Sequence, residues 1–130
     1  MITHDFGSGL VQAHQHPNGG GWVADSAHVD DSVYVGPNAQ VYGKAQVSDN
    51  VQISGNSRVY GNTRISDNVW ISGNARIYGN SRISGNAQIY GKTWIFGYVW
   101  VYGNVCIFDG ARIKNSKSLR GKKLKNLTTH

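Results

Sequence analysis

Every sixth residue from Val23 to Ile113 is a β-branched aliphatic, and no other property of the chain narrows its folding options as far. The series opens Val23, Val29, Val35, Val41, Val47, Ile53 and closes Ile95, Val101, Ile107, Ile113 without a gap. The fourth residue after each is small or β-branched, from Ala27 and Val33 through Ser57 and Thr63 to Val105 and Ala111. Between these inward positions lies a turn dipeptide such as Gly55-Asn56, Asp67-Asn68, Gly79-Asn80 or Gly103-Asn104, residue types that accept a positive φ at little cost. A period of six fits neither a 3.6-residue helix nor a hairpin meander, but it fits short strands separated by corners, three strands to a coil. The predicted fold is all-β: a single-stranded parallel β-helix, triangular in section, of about five 18-residue coils. Twenty-one of the 23 Val and Ile residues sit at the two inward positions, so the pattern is the core itself.

Little outside the repeat competes with it. The chain has 130 residues, one domain's worth, and a mean hydropathy of −0.40. No apolar run approaches a membrane span, and Met1–Asp5 offers neither a basic nor an apolar signal region, so the expected setting is the cytoplasm without a membrane partner. The one cysteine, Cys106, cannot staple the fold, which agrees with a reducing compartment. It reads as outward filler with no histidine in its hexad. Residues 1–113 carry seven bases and seven acids, whereas residues 114–130 carry six bases and no acid, so the formal charge of +6 belongs to the tail.

The stretches Ile-Ser-Gly-Asn-Ser-Arg at 53–58 and Ile-Ser-Gly-Asn-Ala-Arg at 71–76 resemble the hexapeptide-repeat, or isoleucine-patch, superfamily. The resemblance implies a left-handed β-helix that assembles as a homo-oligomer, commonly a trimer. The Tyr-Gly-Asn and Ser-Gly-Asn variants look most like short hexapeptide-repeat proteins of phages and prophages. Solenoid ends need covering. Residues 1–22, with Phe6, Leu10, Val11 and Trp22, read as an N-terminal cap, in which Pro17–Gly21 is a turn that feeds the first coil. Residues 23–113 form the β-helix, and 114–130 a basic C-terminal cap or tail, in which Leu119, Leu124 and Leu127 can fold back over the last coil.

Positions 18 apart stack on one face, which sorts the outward residues into three ladders. The first collects Arg58, Tyr60, Arg76, Tyr78, Trp94 and Phe96 in addition to Tyr42, a composition found in interface cores. Its rings can stack on one another, meet a second copy of the chain, or receive a nucleic-acid partner. Trp100 extends an aromatic cluster from Trp94 to Phe108 that calls for a cover. In the tail, Lys117, Arg120, Lys122, Lys123 and Lys125 can follow phosphates or simply solubilise the chain end.

Many members of the resembled superfamily are acyltransferases, with a histidine base on a loop between coils and an acyl-CoA in the groove between subunits. Here no loop interrupts the hexads and no histidine occurs between 29 and 129, which leaves His14 or His16 as the only base for a minimal acyltransferase. The zinc site of the γ-carbonic-anhydrase relatives needs three coil histidines, and only His28 lies in a coil; no metal and no cofactor are expected. The sequence therefore favours a non-catalytic binding, inhibitory or structural module that meets a macromolecular partner through a rigid face and a basic tail. In the phage setting that the resemblance implies, the partner is a host protein or ribonucleoprotein, and the activity is anti-CRISPR-like inhibition of a defence complex.

Overall fold

The computed structural model describes residues 2–114 and, beyond them, the backbone of two strands, Leu119–Arg120 and Lys123–Lys125. It is a parallel β-solenoid of about five turns, extended by those two strands, with no helix among the described residues. Each hexad contributes one short strand, and each face of the prism is a ladder of strands 18 residues apart.

The first face stacks Trp22–Ala24, Gln40–Val41, Arg58–Val59, Arg76–Ile77, Trp94–Phe96 and Arg112–Lys114. The second runs from His28–Val29 through Arg64–Ile65 and Arg82–Ile83 to Trp100–Tyr102 and Leu119–Arg120. The third runs from Tyr34–Val35 through Trp70–Ile71 to Cys106–Phe108 and Lys123–Lys125. Register is set by the aliphatics: Val59 lies opposite Ile77, Ile65 opposite Ile83 and Ile71 opposite Ile89. The nine Ile side chains from Ile53 to Ile113 are no more than 1% exposed, and burial of each such side chain stabilises the fold by about 1.5–3 kcal/mol.

Corners turn where the sequence places Gly or Asp. Gly79 has φ +77°, and a Cβ added there would come within 2.5 Å of the Gly97 nitrogen in the next coil. At the corner after the second face, Asp49 and Asp67 take the same left-handed conformation, with φ 63° and 67°. Their side chains support the turn: Asp49 Oδ2 accepts from the Asp67 amide at 3.1 Å and Asp67 Oδ2 from the Gly85 amide at 2.9 Å.

The N-terminal residues form a hairpin, Thr3–Asp5 against Leu10–Gln15, whose second strand lies antiparallel to Trp22–Ala24, so the first face ends in antiparallel pairing. The Gly7 and Gly9 amides donate to Asp5 and hold its carboxyl below the usual carboxylate range. Phe6 is buried, whereas Leu10 and Val11 are exposed. The segment that follows crosses to the third face, where Gly21 N donates to Val35 O and Val35 N donates to Asn18 O. Gly19 permits this approach, because its φ is +113° and any Cβ would run into the Val35 carbonyl.

At the other end the stack continues past Ile113. Leu119 is in parallel register with Val101, six residues on, and Leu124 with Ile107 after a step of five. The two leucines thus lie on strands that add to the ladder, in place of a segment folded across its end; Leu127 lies outside the described residues. No helix of the described residues is long and apolar enough to cross a membrane.

Candidate functional site

The first face brings Arg58, Tyr60, Arg76, Tyr78, Trp94 and Phe96 together in two columns, through parallel pairing of their strands. One column is a ring stack. Phe6, Tyr42, Tyr60, Tyr78 and Phe96 follow one another at centroid spacings of 4.6–5.1 Å, and from Tyr42 onward adjacent planes lie within 6° of parallel. The coil rise imposes the spacing, and the rings fill it face to face. Desolvation, followed by the neighbouring Tyr42 and Tyr78 hydroxyls, raises the pKa of Tyr60 above the ordinary tyrosine value. In the other column Trp94 sits between two guanidinium groups, Arg76 at 5.4 Å and Arg112 at 4.4 Å from its ring centre. His4 of the hairpin stacks on Trp22 at 4.6 Å. The tyrosine and phenylalanine ring faces are thus largely occupied within the stack, and this column turns mainly ring edges outward.

The second face is different. Its strand column Gln46, Arg64, Arg82, Trp100 runs beside the corner column Lys44, Asn62, Asn80, Tyr98, and a groove of about 420 Å³ lies between them. Lys44, Arg64 and Arg82 line it with no carboxylate among the lining residues, and no ion pair engages any of the three among the described residues. At its C-terminal end the groove opens into a second hollow of about 390 Å³ between Tyr98 and Trp100, with Val99 and Arg82 in its lining. These two rings are 73% and 53% exposed. Trp100 meets Tyr102 only at a 51° tilt, outside the parallel stacking of the first face. Sequence reasoning singled out Trp100 but missed the groove. The signal was present in the 18-residue spacing of Lys44, Asn62, Asn80 and Tyr98, a corner column that was not read as a surface.

The third face carries no cation on its strands from Tyr34–Val35 to Cys106–Phe108. Trp70 is exposed beside a shallow hollow lined by Gln52, Ser54 and Ser72, and Tyr90 stacks on Phe108 at 5.1 Å. Cys106 Sγ is 3.9 Å from Gln88 Oε1. Of the tail residues singled out from sequence, Arg120, Lys123 and Lys125 lie on the added strands, in register with Tyr102, Cys106 and Phe108. Lys117 and Lys122 lie outside the described residues.

Of the described histidines, His4, His14 and His16 lie in the N-terminal segment, and His28 stands on the second face in register with Gln46 of the groove lining. His14, on the strand Leu10–Gln15, is exposed and pairs with Asp25 at 2.7 Å, while His16, just past that strand, is buried and donates from Nε2 to the Val33 carbonyl at 2.7 Å. His28 pairs with Asp30 at 3.1 Å. Among the described residues no three His, Cys, Asp or Glu side chains converge as a metal site would require.

Stacked coils with an uninterrupted repeat define a β-solenoid whose second face carries a cationic, partly aromatic groove. Two segments, residues 51–67 and 69–85, match the YdcK beta-solenoid repeat, so this part of the chain is similar to that repeat. No curated protein and no solved structure matches the chain.

Proposed function

We propose that the chain is a non-catalytic binding module that engages an anionic macromolecular partner through the second face. One observation carries this reading: Lys44, Arg64 and Arg82 line a single groove that no carboxylate enters, beside two exposed rings. Rigidity adds to it. The side chains are placed by a continuous hydrogen-bonded ladder, so little ordering cost falls on binding. Hexapeptide-repeat resemblance extends the proposal to a phage-encoded, anti-CRISPR-like inhibitor, since a host defence ribonucleoprotein offers an anionic surface of the kind this face would meet.

The test is retention on immobilised heparin over a salt gradient. The Arg64→Gln/Arg82→Gln variant is expected to elute at lower salt than Arg58→Gln/Arg76→Gln, which loses the same charge from the first face, both at unchanged mass by light scattering. Co-elution of the two variants would remove the second face from the proposal. Acetyl-CoA-dependent acyl transfer that disappears in His14→Ala would replace the proposal with a minimal acyltransferase.

A further inference from the structure

We infer that the partner held by this groove is single-stranded nucleic acid, with phosphates along Lys44, Arg64 and Arg82 and one unstacked base in the hollow between Tyr98 and Trp100; this rests on the binding reading above. The argument starts from what the two parts of the groove can recognise. Coils rise by about 4.8 Å, so the run from Lys44 to Tyr98 covers roughly 14 Å and sets one cation on each of three successive coils. Such a row suits a linear chain of anions. Arg64 and Arg82 add guanidinium forks, which pair with phosphate through two parallel hydrogen bonds.

The hollow decides among polyanions. It lies on the same line as the cations, with exposed rings on either side and Val99 and Arg82 in its lining. A flat, apolar body on an anionic chain fits it, and a nucleobase is such a body. A base stacked within a duplex cannot enter, because both of its faces are covered by neighbouring bases. A sulfated or uronic-acid polysaccharide satisfies the cations but brings no planar ring to the hollow. The first face, although richer in aromatics, is a poorer place for a base, since its tyrosines already stack at 4.6 and 4.9 Å. Single-stranded binding of this type combines a basic track with stacking and is tolerant of sequence.

The full chain is titrated with fluorescein-labelled dT12, with the same strand in a 12-base-pair duplex, and with a heparin fragment, while tryptophan emission is followed. The strand is expected to bind at least tenfold more tightly than the duplex and to quench emission, and Trp100→Phe is expected to abolish most of the quench. Trp100→Ala should weaken dT12 by about tenfold, within the range for loss of one stacked base. Arg64→Gln/Arg82→Gln should lower the slope of log K against log salt by about 1.4, the value for two single-strand phosphates. Equal affinity for strand and duplex would overturn the inference, as would unchanged binding in Trp100→Ala. In that event, heparin retention that still depends on Arg64 and Arg82 keeps the anion-binding proposal and reassigns the occupant. Loss of retention for all three probes overturns both.

Discussion

Ser57 marks the residue scale most sharply. It occupies the small inward position filled by alanine at 39, 45, 75, 87 and 111, it is fully buried, and its hydroxyl has no hydrogen-bond partner. Thr63, Ser81 and Thr93 occupy the same position in other hexads, yet each donates to the carbonyl three residues earlier, at 2.8–3.0 Å. A buried hydroxyl without a partner costs stability, whereas a bonded one contributes modestly. Ser57→Ala is therefore expected to raise unfolding free energy by about 1 kcal/mol, while Ser81→Ala leaves it level or lowers it by about 1 kcal/mol. Urea denaturation of the two variants beside the parent chain checks this, and destabilisation by Ser57→Ala would show that its hydroxyl is satisfied in solution.

At the scale of the element, the first-face ring stack behaves as one unit with its own pH dependence. Tyr60 titrates above the ordinary tyrosine value because burial, and then the adjacent Tyr42 and Tyr78, disfavour its phenolate. With the folded pKa raised, its stabilising contribution is complete below the unfolded value of about 10 and is lost as pH rises through the folded value. The chain should thus hold a level unfolding midpoint from pH 7 to 9 and lose stability above 10, with Tyr60→Phe losing less. Parallel curves for parent and variant above pH 10 would contradict the shift. The ladder itself was legible in sequence, since a step of 18 placed Tyr42, Tyr60, Tyr78 and Phe96 on one line before any coordinates. Phe6 was not, because it lies outside the hexads and reaches the stack only when the hairpin turns back on Trp22–Ala24. Leu119 stood six residues past Ile113 and could have been read as one more rung, whereas the five-residue step to Leu124 hides the next from any fixed period. Register could name the candidate site residues, but whether a ring lies flat on its neighbour or stands exposed depends on the identity of the residue one coil away. That is why the first-face rings are occupied by one another while Trp100 on the second face stands exposed.

For the whole molecule, the even charge of residues 1–113 conceals a gradient along the axis. Residues 1–50 hold five aspartates and one lysine, residues 51–113 hold six lysines and arginines with two aspartates, and the tail adds six more bases. A polyanion approaching such a chain is steered away from the aspartate-rich N-terminal end and toward the later coils, where Tyr98 and Trp100 stand. The tail then has two separable effects, because Leu119–Arg120 and Lys123–Lys125 pair with the last turn while the bases near them add charge. Changing Lys117, Lys122, Lys123 and Lys125 to Gln removes charge and keeps the strands. This variant should bind dT12 more weakly, with a shallower salt slope, yet keep its melting temperature and the tryptophan quench, since the hollow at Trp100 is untouched. Removal of residues 115–130 takes the strands as well and should lower the melting temperature by unpairing Trp100–Tyr102 and Cys106–Phe108. If the lysine variant lost the quench along with the affinity, the base would be held by the tail and not by the groove. If truncation left the melting temperature unchanged, the added strands would contribute nothing to the stack.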